Sequence, residues 1–172
     1  MRMRAISEEK IAAFQADGYL HLPRYLDESA LDATKQTLNR VIDRINTFRS
    51  EEVYYEDKTD PTSLKQIQHL ENKDDFFQQL VSTGKVYELA QELLQEEPIP
   101  KNIQSFNKPP KTSSATPAHQ DGYYFMLKPC RALTMWLALE EVDESNGCIS
   151  YVRASHQQGL REHQRTKTLG FS

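Results

Sequence analysis

The hydrophobic pattern of this chain changes at about residue 100, and this change constrains the fold most. Before Pro100, apolar residues recur at the spacing of amphipathic helices. After it, short apolar runs alternate with clusters of Pro, Ser, Asn and Gly, which is typical of a sandwich or a barrel. We therefore expect an α+β protein in which residues 1–100 are mainly helical and residues 101–172 form antiparallel strands. The strands expected in the second part are Ile103–Phe106, Tyr123–Leu127, Ala132–Leu139 and Cys148–Val152.

Local signals set the boundaries of the expected helices. Ser7 is a typical N-cap for a first helix, and Gly18 ends it. A second helix is expected from about Asp27, because the apolar residues that follow lie on one stripe at helical spacing. The remaining elements expected there are two helices broken near Gly84 and short strands at Tyr19–Leu22 and Leu64–Leu70.

Length, charge and cysteine content limit the class of protein. A chain of 172 residues suits one domain with a single core. The net charge of −4, with no Lys/Arg run, argues against nucleic-acid binding. No apolar stretch approaches the roughly 20 residues of a membrane span, so we expect a cytoplasmic protein that does not bind membranes. Cys130 and Cys148 fit no C-x-x-C pattern, and we expect two buried thiols in a reducing compartment.

The sequence His119-Gln120-Asp121 carries the clearest chemical signal. It stands at the start of an expected strand, where residues i and i+2 point the same way, so both side chains could touch one ion. Two His and one carboxylate on one face of Fe(II) leave open positions for a chelating cosubstrate, for O₂ and for a substrate. An H-x-D match alone is usually an ordinary surface pair.

Several motifs in a fixed order make this signal more specific. They are Asn107-Lys-Pro-Pro, Thr116-Pro-Ala-His-Gln-Asp121, Tyr124-Phe125, Trp136-Leu-Ala-Leu-Glu-Glu-Val-Asp143, Asn146-Gly-Cys-Ile149 and Ala154-Ser-His156. Together they closely resemble the central stretch of the phytanoyl-CoA dioxygenase family of Fe(II)/2-oxoglutarate oxygenases. The resemblance is strong from Asn107 to Gly159 and looser upstream, so it covers nearly the whole chain, which we treat as one domain of residues 1–172.

The resemblance implies a double-stranded β-helix, or cupin-type jelly roll, that binds Fe(II) as cofactor and 2-oxoglutarate as cosubstrate. His119 and Asp121 match the first two metal ligands, which makes them the expected catalytic residues. Trp136 matches a residue that lines the 2-oxoglutarate pocket, and Gln104 and Gln66 fall where other cosubstrate contacts lie. A core aromatic in an apolar strand is the alternative interpretation of Trp136.

The aromatic run after Asp121 is the candidate substrate surface. Tyr123, Tyr124 and Phe125 could face a substrate, although burial of one strand face against an opposite sheet would explain at least alternate members of this trio; Tyr123 and Phe125 are the expected substrate contacts. By contrast, His156 matches a Ser-His sequence that belongs to a structural motif of the family rather than to the metal site.

The family pattern continues beyond the residues of this chain. In the resembling proteins, the second His ligand and the Arg that binds 2-oxoglutarate lie several dozen residues after the Ser-His motif, whereas this sequence stops at Ser172. The jelly roll is therefore expected to be incomplete at its C-terminal strands, as a fragment, a shortened reading frame or a chain completed by another subunit. Two protein ligands alone should hold Fe(II) weakly.

Two functions follow from these observations. The first is a dioxygenase that, as the full-length protein, hydroxylates a small organic substrate with 2-oxoglutarate and O₂. The second is a non-catalytic jelly-roll module for binding or assembly that lacks the second His and the Arg. Unpaired strand edges favour contact with another chain, so self-association into a homo-oligomer stays open.

Overall fold

The computed structural model describes residues 5–111, 113 and 115–163. Five α-helices and three β-strands lie within this part of the chain. The helices are α1 (Glu8–Asp17), α2 (Glu28–Asp43), α3 (Asp75–Ser82), α4 (Gly84–Leu94) and α5 (Asp121–Phe125). The strands are β1 (Val53–Tyr55), β2 (Leu64–Ile67) and β3 (Ser105–Phe106), and short 3₁₀ turns connect several of these elements. No helix of the described residues is long and apolar enough to cross a membrane.

The helix boundaries confirm the predictions from local signals. The Ser7 hydroxyl accepts a hydrogen bond from the backbone N–H of Lys10, and Gly18 ends α1 with a positive φ of 82°. The Asp27 carboxylate accepts a hydrogen bond from Ala30 N at 2.9 Å and so caps α2. These helices begin and end where side chains satisfy the unpaired backbone groups of the first and last turns.

The three strands form one small antiparallel sheet in the order β1-β2-β3. β2 is central, with Ile67 opposite Val53 of β1 and opposite Ser105 of β3. The Asn107 that follows β3 extends this pairing, because its backbone N–H donates to Lys65 O at 2.7 Å and its side chain donates to Leu64 O at 2.9 Å. The strand predicted at Leu64–Leu70 is thus present in its first four residues.

Four other strand predictions are wrong. Residues 121–125 form α5, because a hydrogen bond from Tyr123 N to Gln120 O closes a helical turn that a short apolar pattern does not distinguish from a strand. Residues 19–22, 132–139 and 148–152 are not strands in the described structure. A strand needs a hydrogen-bonded neighbour, and apolar alternation does not supply one. The described fold is therefore mixed helix and sheet, without the complete sheets of a jelly roll.

Two hydrophobic clusters hold the helices and the sheet together. The first is formed by Val41, Ile67, Leu70 and Phe77, each 2% exposed or less, so it joins α2, β2 and α3. The second is formed by Ile6, Leu89 and Leu93, and among the residues that pack against it are Leu133 and Met135 from the C-terminal half. The segment 133–135 is therefore anchored on the helical half.

A buried ion pair lies beside the sheet. Lys65 Nζ on β2 is 3.1 Å from Glu56 Oε1, with the two side chains only 3% and 9% exposed.

The prediction of two buried thiols is wrong: Cys130 is exposed and Cys148 is half-buried, and both are free cysteines.

Candidate metal centre

His119 and Asp121 lie on either side of one extended residue. Gln120 has φ −120° and ψ 120°, and Asp121 is the first residue of α5. The predicted strand is absent, but a single extended residue still places its two neighbours on the same side of the backbone. The side chains of His119 and Asp121 therefore lie on the same side of the backbone, as they would on a strand, although no strand forms here.

The two side chains converge. His119 Nε2 lies 3.2 Å from Asp121 Oδ1, and His119 Nδ1 lies 2.8 Å from the carbonyl oxygen of Pro117. A carbonyl oxygen only accepts hydrogen bonds, so Nδ1 carries a proton, and in the neutral ring Nε2 then presents its lone pair towards the carboxylate. Two electron-pair donors that face one another at this distance fit a shared cation, and a histidine with its second nitrogen bound to a carbonyl is the usual arrangement of a metal ligand.

Thr134 fixes the other carboxylate oxygen. Its hydroxyl donates to Asp121 Oδ2 at 2.6 Å, the short distance expected for an O–H donor on a charged acceptor. No sequence motif indicated a role for Thr134. The signal that could have found it is the alternation around Leu133 and Met135, which places Thr134 on the side opposite the core.

Gln120 connects the candidate site to residues 159–163. Its side chain donates to Gly159 O at 3.0 Å and accepts from Arg161 N at 2.8 Å, while its own backbone N–H donates to His163 Nε2 at 2.8 Å. His163 Nδ1 lies 2.9 Å from Arg161 O. His163 is thus a structural residue beside the His-x-Asp segment, with both ring nitrogens engaged.

His156 holds the C-terminal half against α1. Its Nε2 is 3.0 Å from Gln15 O, and its ring lies so close to Gly18 that a Cβ there would overlap it. Arg153 Nε donates to Asp17 Oδ1 at 2.7 Å in the same contact. These bonds agree with the structural role that the resemblance implied for His156.

The two predicted glutamines lie together on the sheet. Gln66 on β2 donates through Nε2 to Gln104 Oε1 at 2.8 Å, next to the start of β3. Trp136 is 44% exposed, which argues against a core position for its ring in the described residues. It follows Thr134 by two residues on the segment anchored by Leu133 and Met135.

Tyr123 and Phe125 do not share a face. Because α5 is a helix, residues two apart point in directions about 200° apart, not in the same direction as on a strand. Tyr123 stacks on His163 with ring centroids 4.2 Å apart, whereas Phe125 is half-buried at the end of α5. The Tyr124 ring lies closer to the metal-ligand candidates, 6.2 Å from the His119 ring.

Tyr151 shares the electrostatic environment of Asp121. Partial burial, and to a smaller extent the negative charge of Asp121, raise the pKa of the Tyr151 hydroxyl. The Tyr151 ring stacks on Tyr19 at 5.6 Å, with the two rings within 4° of parallel. The chain that follows α1 therefore lies beside the candidate site.

The described residues contain no group of three or more His, Cys, Asp or Glu side chains that could hold a metal ion. The pair of His119 and Asp121 is thus two donors of an expected three.

A model of the family Phytanoyl-CoA dioxygenase (PhyH) matches residues 14–170. The chain belongs to the phytanoyl-CoA dioxygenase family.

Curated members of the phytanoyl-CoA dioxygenase family show how far the similarity extends. Phytanoyl-CoA dioxygenase domain-containing protein 1 of Bos taurus is 22% identical over 198 residues, which cover 92% of this chain and 68% of that protein. The peroxisomal phytanoyl-CoA dioxygenase of Mus musculus is 37% identical over 68 residues, which cover 37% of this chain and 20% of that protein. Phytanoyl-CoA dioxygenase 1 of Oryza sativa is 24% identical, with 91% of this chain and 67% of that protein covered. The similarity thus spans about a fifth of the length of the mouse relative and about two thirds of the others.

Proposed function

We propose that the full-length protein is a non-haem Fe(II)/2-oxoglutarate-dependent dioxygenase that hydroxylates a small organic substrate. Family membership supports the reaction class, because phytanoyl-CoA dioxygenases in general depend on Fe(II) and 2-oxoglutarate. We also propose that residues from about 101 onward are the first part of a jelly roll whose further strands complete the site. The observation that carries the proposal is the convergence of His119 Nε2 and Asp121 Oδ1 at 3.2 Å.

His119 and Asp121 would hold the iron. The Pro117 carbonyl accepts a hydrogen bond from Nδ1–H of His119, so in the neutral ring Nε2 is the nitrogen that can donate an electron pair to a metal ion. An iron ion held there would supply the chemistry that couples oxidation of 2-oxoglutarate by O₂ to hydroxylation of the substrate. Asp121 provides a carboxylate ligand where a Gly or Ala would vacate a coordination position for chloride, so hydroxylation is favoured over halogenation.

The remaining predicted residues would bind the organic molecules. Trp136, Gln104 and Gln66 are proposed to contact 2-oxoglutarate, and the exposed indole and the paired amides offer an apolar wall and hydrogen-bonding groups for it. Tyr123 and Phe125 are proposed to contact the substrate, and their different directions on α5 mean that they would do so from different sides. A second His and an Arg from the rest of the protein are required by this proposal.

Metal binding tests the His119 and Asp121 pair directly. Mn²⁺ added without oxygen to isotopically labelled protein should broaden the amide signals of residues 118–121 in a saturable manner. His119→Ala should abolish this broadening with little change in folding, because the side chain is not part of either core cluster. His21→Ala, an exposed histidine outside the site, is the matched control and should behave as the wild type.

Turnover tests the reaction class. The full-length protein with Fe(II), 2-oxoglutarate and candidate substrates should form succinate, and His119→Ala should reduce the rate at least 100-fold. If succinate does not rise above the level of the His119→Ala variant with any substrate class, the dioxygenase proposal is wrong.

A non-catalytic binding or assembly module is the second candidate. It is favoured by the large apolar side chains that the C-terminal half exposes, since such surfaces often mark contacts with other proteins. Gel filtration across a range of concentrations separates the two candidates. A monomer that binds Mn²⁺ through His119 would argue against the assembly module, whereas a stable oligomer with no metal-dependent broadening would argue for it.

A further inference from the structure

Asp121 has two carboxylate oxygens with different partners. Oδ1 faces His119 Nε2 at 3.2 Å, and Oδ2 accepts the hydroxyl of Thr134 at 2.6 Å. A carboxylate that is free to rotate would present either oxygen, or both, to an ion. The hydroxyl of Thr134 removes this freedom, because it occupies one oxygen and leaves the other directed at the histidine.

We propose that Thr134 is a positioning residue that orients the Asp121 carboxylate so that Oδ1 alone shares a metal ion with His119. This inference rests on the proposed function, since it concerns the same metal pair. Thr134 acts through Asp121 and does not itself bind the ion. Groups that orient a ligand in this way typically contribute about 10-fold to 100-fold in metal affinity.

The backbone around Thr134 is suited to this task. Leu133 and Met135, its two neighbours, pack against the cluster of Ile6, Leu89 and Leu93, and both are partly buried while Thr134 is exposed. Thr134 is therefore held between two anchored residues. Its branched Cβ also restricts χ1, so the hydroxyl keeps one direction at a small entropy cost.

The key variant replaces the hydroxyl group of Thr134 with a methyl group. Thr134→Val has nearly the same shape and loses the bond to Asp121, whereas Thr134→Ser keeps the hydroxyl and loses the methyl. The readout is the Mn²⁺ concentration that halves the amide signals of residues 118–121. Thr134→Val should raise this midpoint about 10-fold or more, and Thr134→Ser should stay within about 3-fold of the wild type.

A matched control is available at Thr62. Its hydroxyl donates to Asp60 Oδ1 at 2.7 Å, so Thr62→Val removes the same kind of bond away from the proposed ligands. This variant should leave the Mn²⁺ midpoint unchanged. The melting temperature of each variant, measured without metal, separates a loss of metal affinity from a loss of folding. If Thr134→Val does not fold, Thr134→Ala tests the same bond with a smaller side chain.

The experiment distinguishes a failure of the Thr134 proposal from a failure of the proposed metal pair. If His119→Ala abolishes broadening but Thr134→Val and Thr134→Ala keep the wild-type midpoint, the metal pair stands and the role of Thr134 is overturned. If His119→Ala broadens like the wild type, the metal pair fails and the role of Thr134 fails with it. A midpoint raised equally by Thr134→Val and Thr134→Ser would also overturn the inference, since the hydroxyl would then not be the group that matters.

Discussion

The two halves of the molecule differ in what their side chains do. Every fully buried hydrophobic residue of the described chain precedes residue 94, in the helices, in β2 and in the segments beside them. The C-terminal half instead exposes most of the large apolar side chains, including Trp136, Tyr151 and Leu160, at 44%, 55% and 53%. It also contains both proposed metal ligands. The buried residues that stabilise the fold and the proposed metal ligands thus lie in different parts of one chain.

The halves are also held by different forces. The helical half relies on burial of apolar surface, which contributes roughly 25 cal/mol per Å². The C-terminal half relies on individual hydrogen bonds between segments distant in sequence, such as those of Gln120 and His156. Each such bond contributes only about 1 kcal/mol net. Substitutions in the first half should therefore change the free energy of unfolding, and substitutions in the second half should change binding.

The largest expected effect is that of Phe77→Ala. Phe77 is 2% exposed in the first cluster, so its removal should lower the free energy of unfolding by about 4 kcal/mol, measured by urea denaturation. Phe106→Ala, at a side chain that is 39% exposed, is the control and should cost less than half as much. Equal losses would break the comparison, because the C-terminal half would then contribute to the core as much as the helical half.

The buried ion pair gives the next largest effect. Lys65→Met removes the ammonium group that lies 3.1 Å from the buried carboxylate of Glu56, and should lower the free energy of unfolding by about 3 kcal/mol. The double variant Lys65→Met with Glu56→Leu should recover all but about 1 kcal/mol, since no charge is then buried. A double variant as unstable as Lys65→Met would show that the loss comes from packing and not from the charge of Glu56.

The contact between the halves is tested at Gly18. A side chain there must adopt φ 82° and displace His156, so Gly18→Ala should cost roughly 1–2 kcal/mol and increase hydrogen exchange at residues 152–158. His156→Ala combined with Gly18→Ala should recover part of this loss by removing the overlap. If exchange at residues 152–158 does not change in Gly18→Ala, the contact between α1 and the C-terminal half is not important for order there.

The smallest expected effect is the pH dependence of a helix cap in the stable half. The backbone N–H of Ala30, with the Ser29 hydroxyl and Lys85, lowers the pKa of Asp27 from 3.8 to about 2. The charged cap therefore stabilises the fold fully above about pH 4, and this contribution is lost as the pH falls towards 2. Asp27→Asn keeps a capping side chain but does not titrate, so the difference in melting temperature from the wild type should shrink between pH 5 and pH 2. A constant difference over that range would mean that Asp27 does not stabilise α2 through its charge.

The helices were predictable from the sequence because their signals are local. Ser7, Gly18 and Asp27 act on backbone groups within four residues of themselves, so their identity alone indicates where a helix begins or ends. The strands of the C-terminal half were not predictable in this way. Whether residues 132–139 form a strand depends on a hydrogen-bonded partner elsewhere in the chain, and the alternation of Leu133 and Met135 carries no information about it.

The same distinction applies to the candidate site. The convergence of His119 and Asp121 follows from one extended residue between them, which a strand-like pattern predicts correctly. The bond from Thr134 to Asp121 spans 13 residues, and those of Gln120 to the later segment span about 40. Such contacts are set by tertiary structure: the alternation around Leu133 and Met135 indicates on which side of the chain Thr134 lies, but not that Asp121 is its partner.

The bonds of Gln120 also have a consequence for protein synthesis. Its backbone N–H is bonded to His163, 43 residues further along the chain. Domains begin to fold from the N-terminus during translation, at about 5–20 residues per second, so the His-x-Asp segment waits about 2–9 s for this partner to be made. Over that interval α1–α4 and the three strands have already been synthesised, while Tyr123 of α5 has not yet met the His163 ring on which it stacks. The nascent chain therefore passes through a stage in which the elements of the first hydrophobic cluster are all synthesised, whereas the rings of Tyr123 and Tyr124 still lack their contacts with His163.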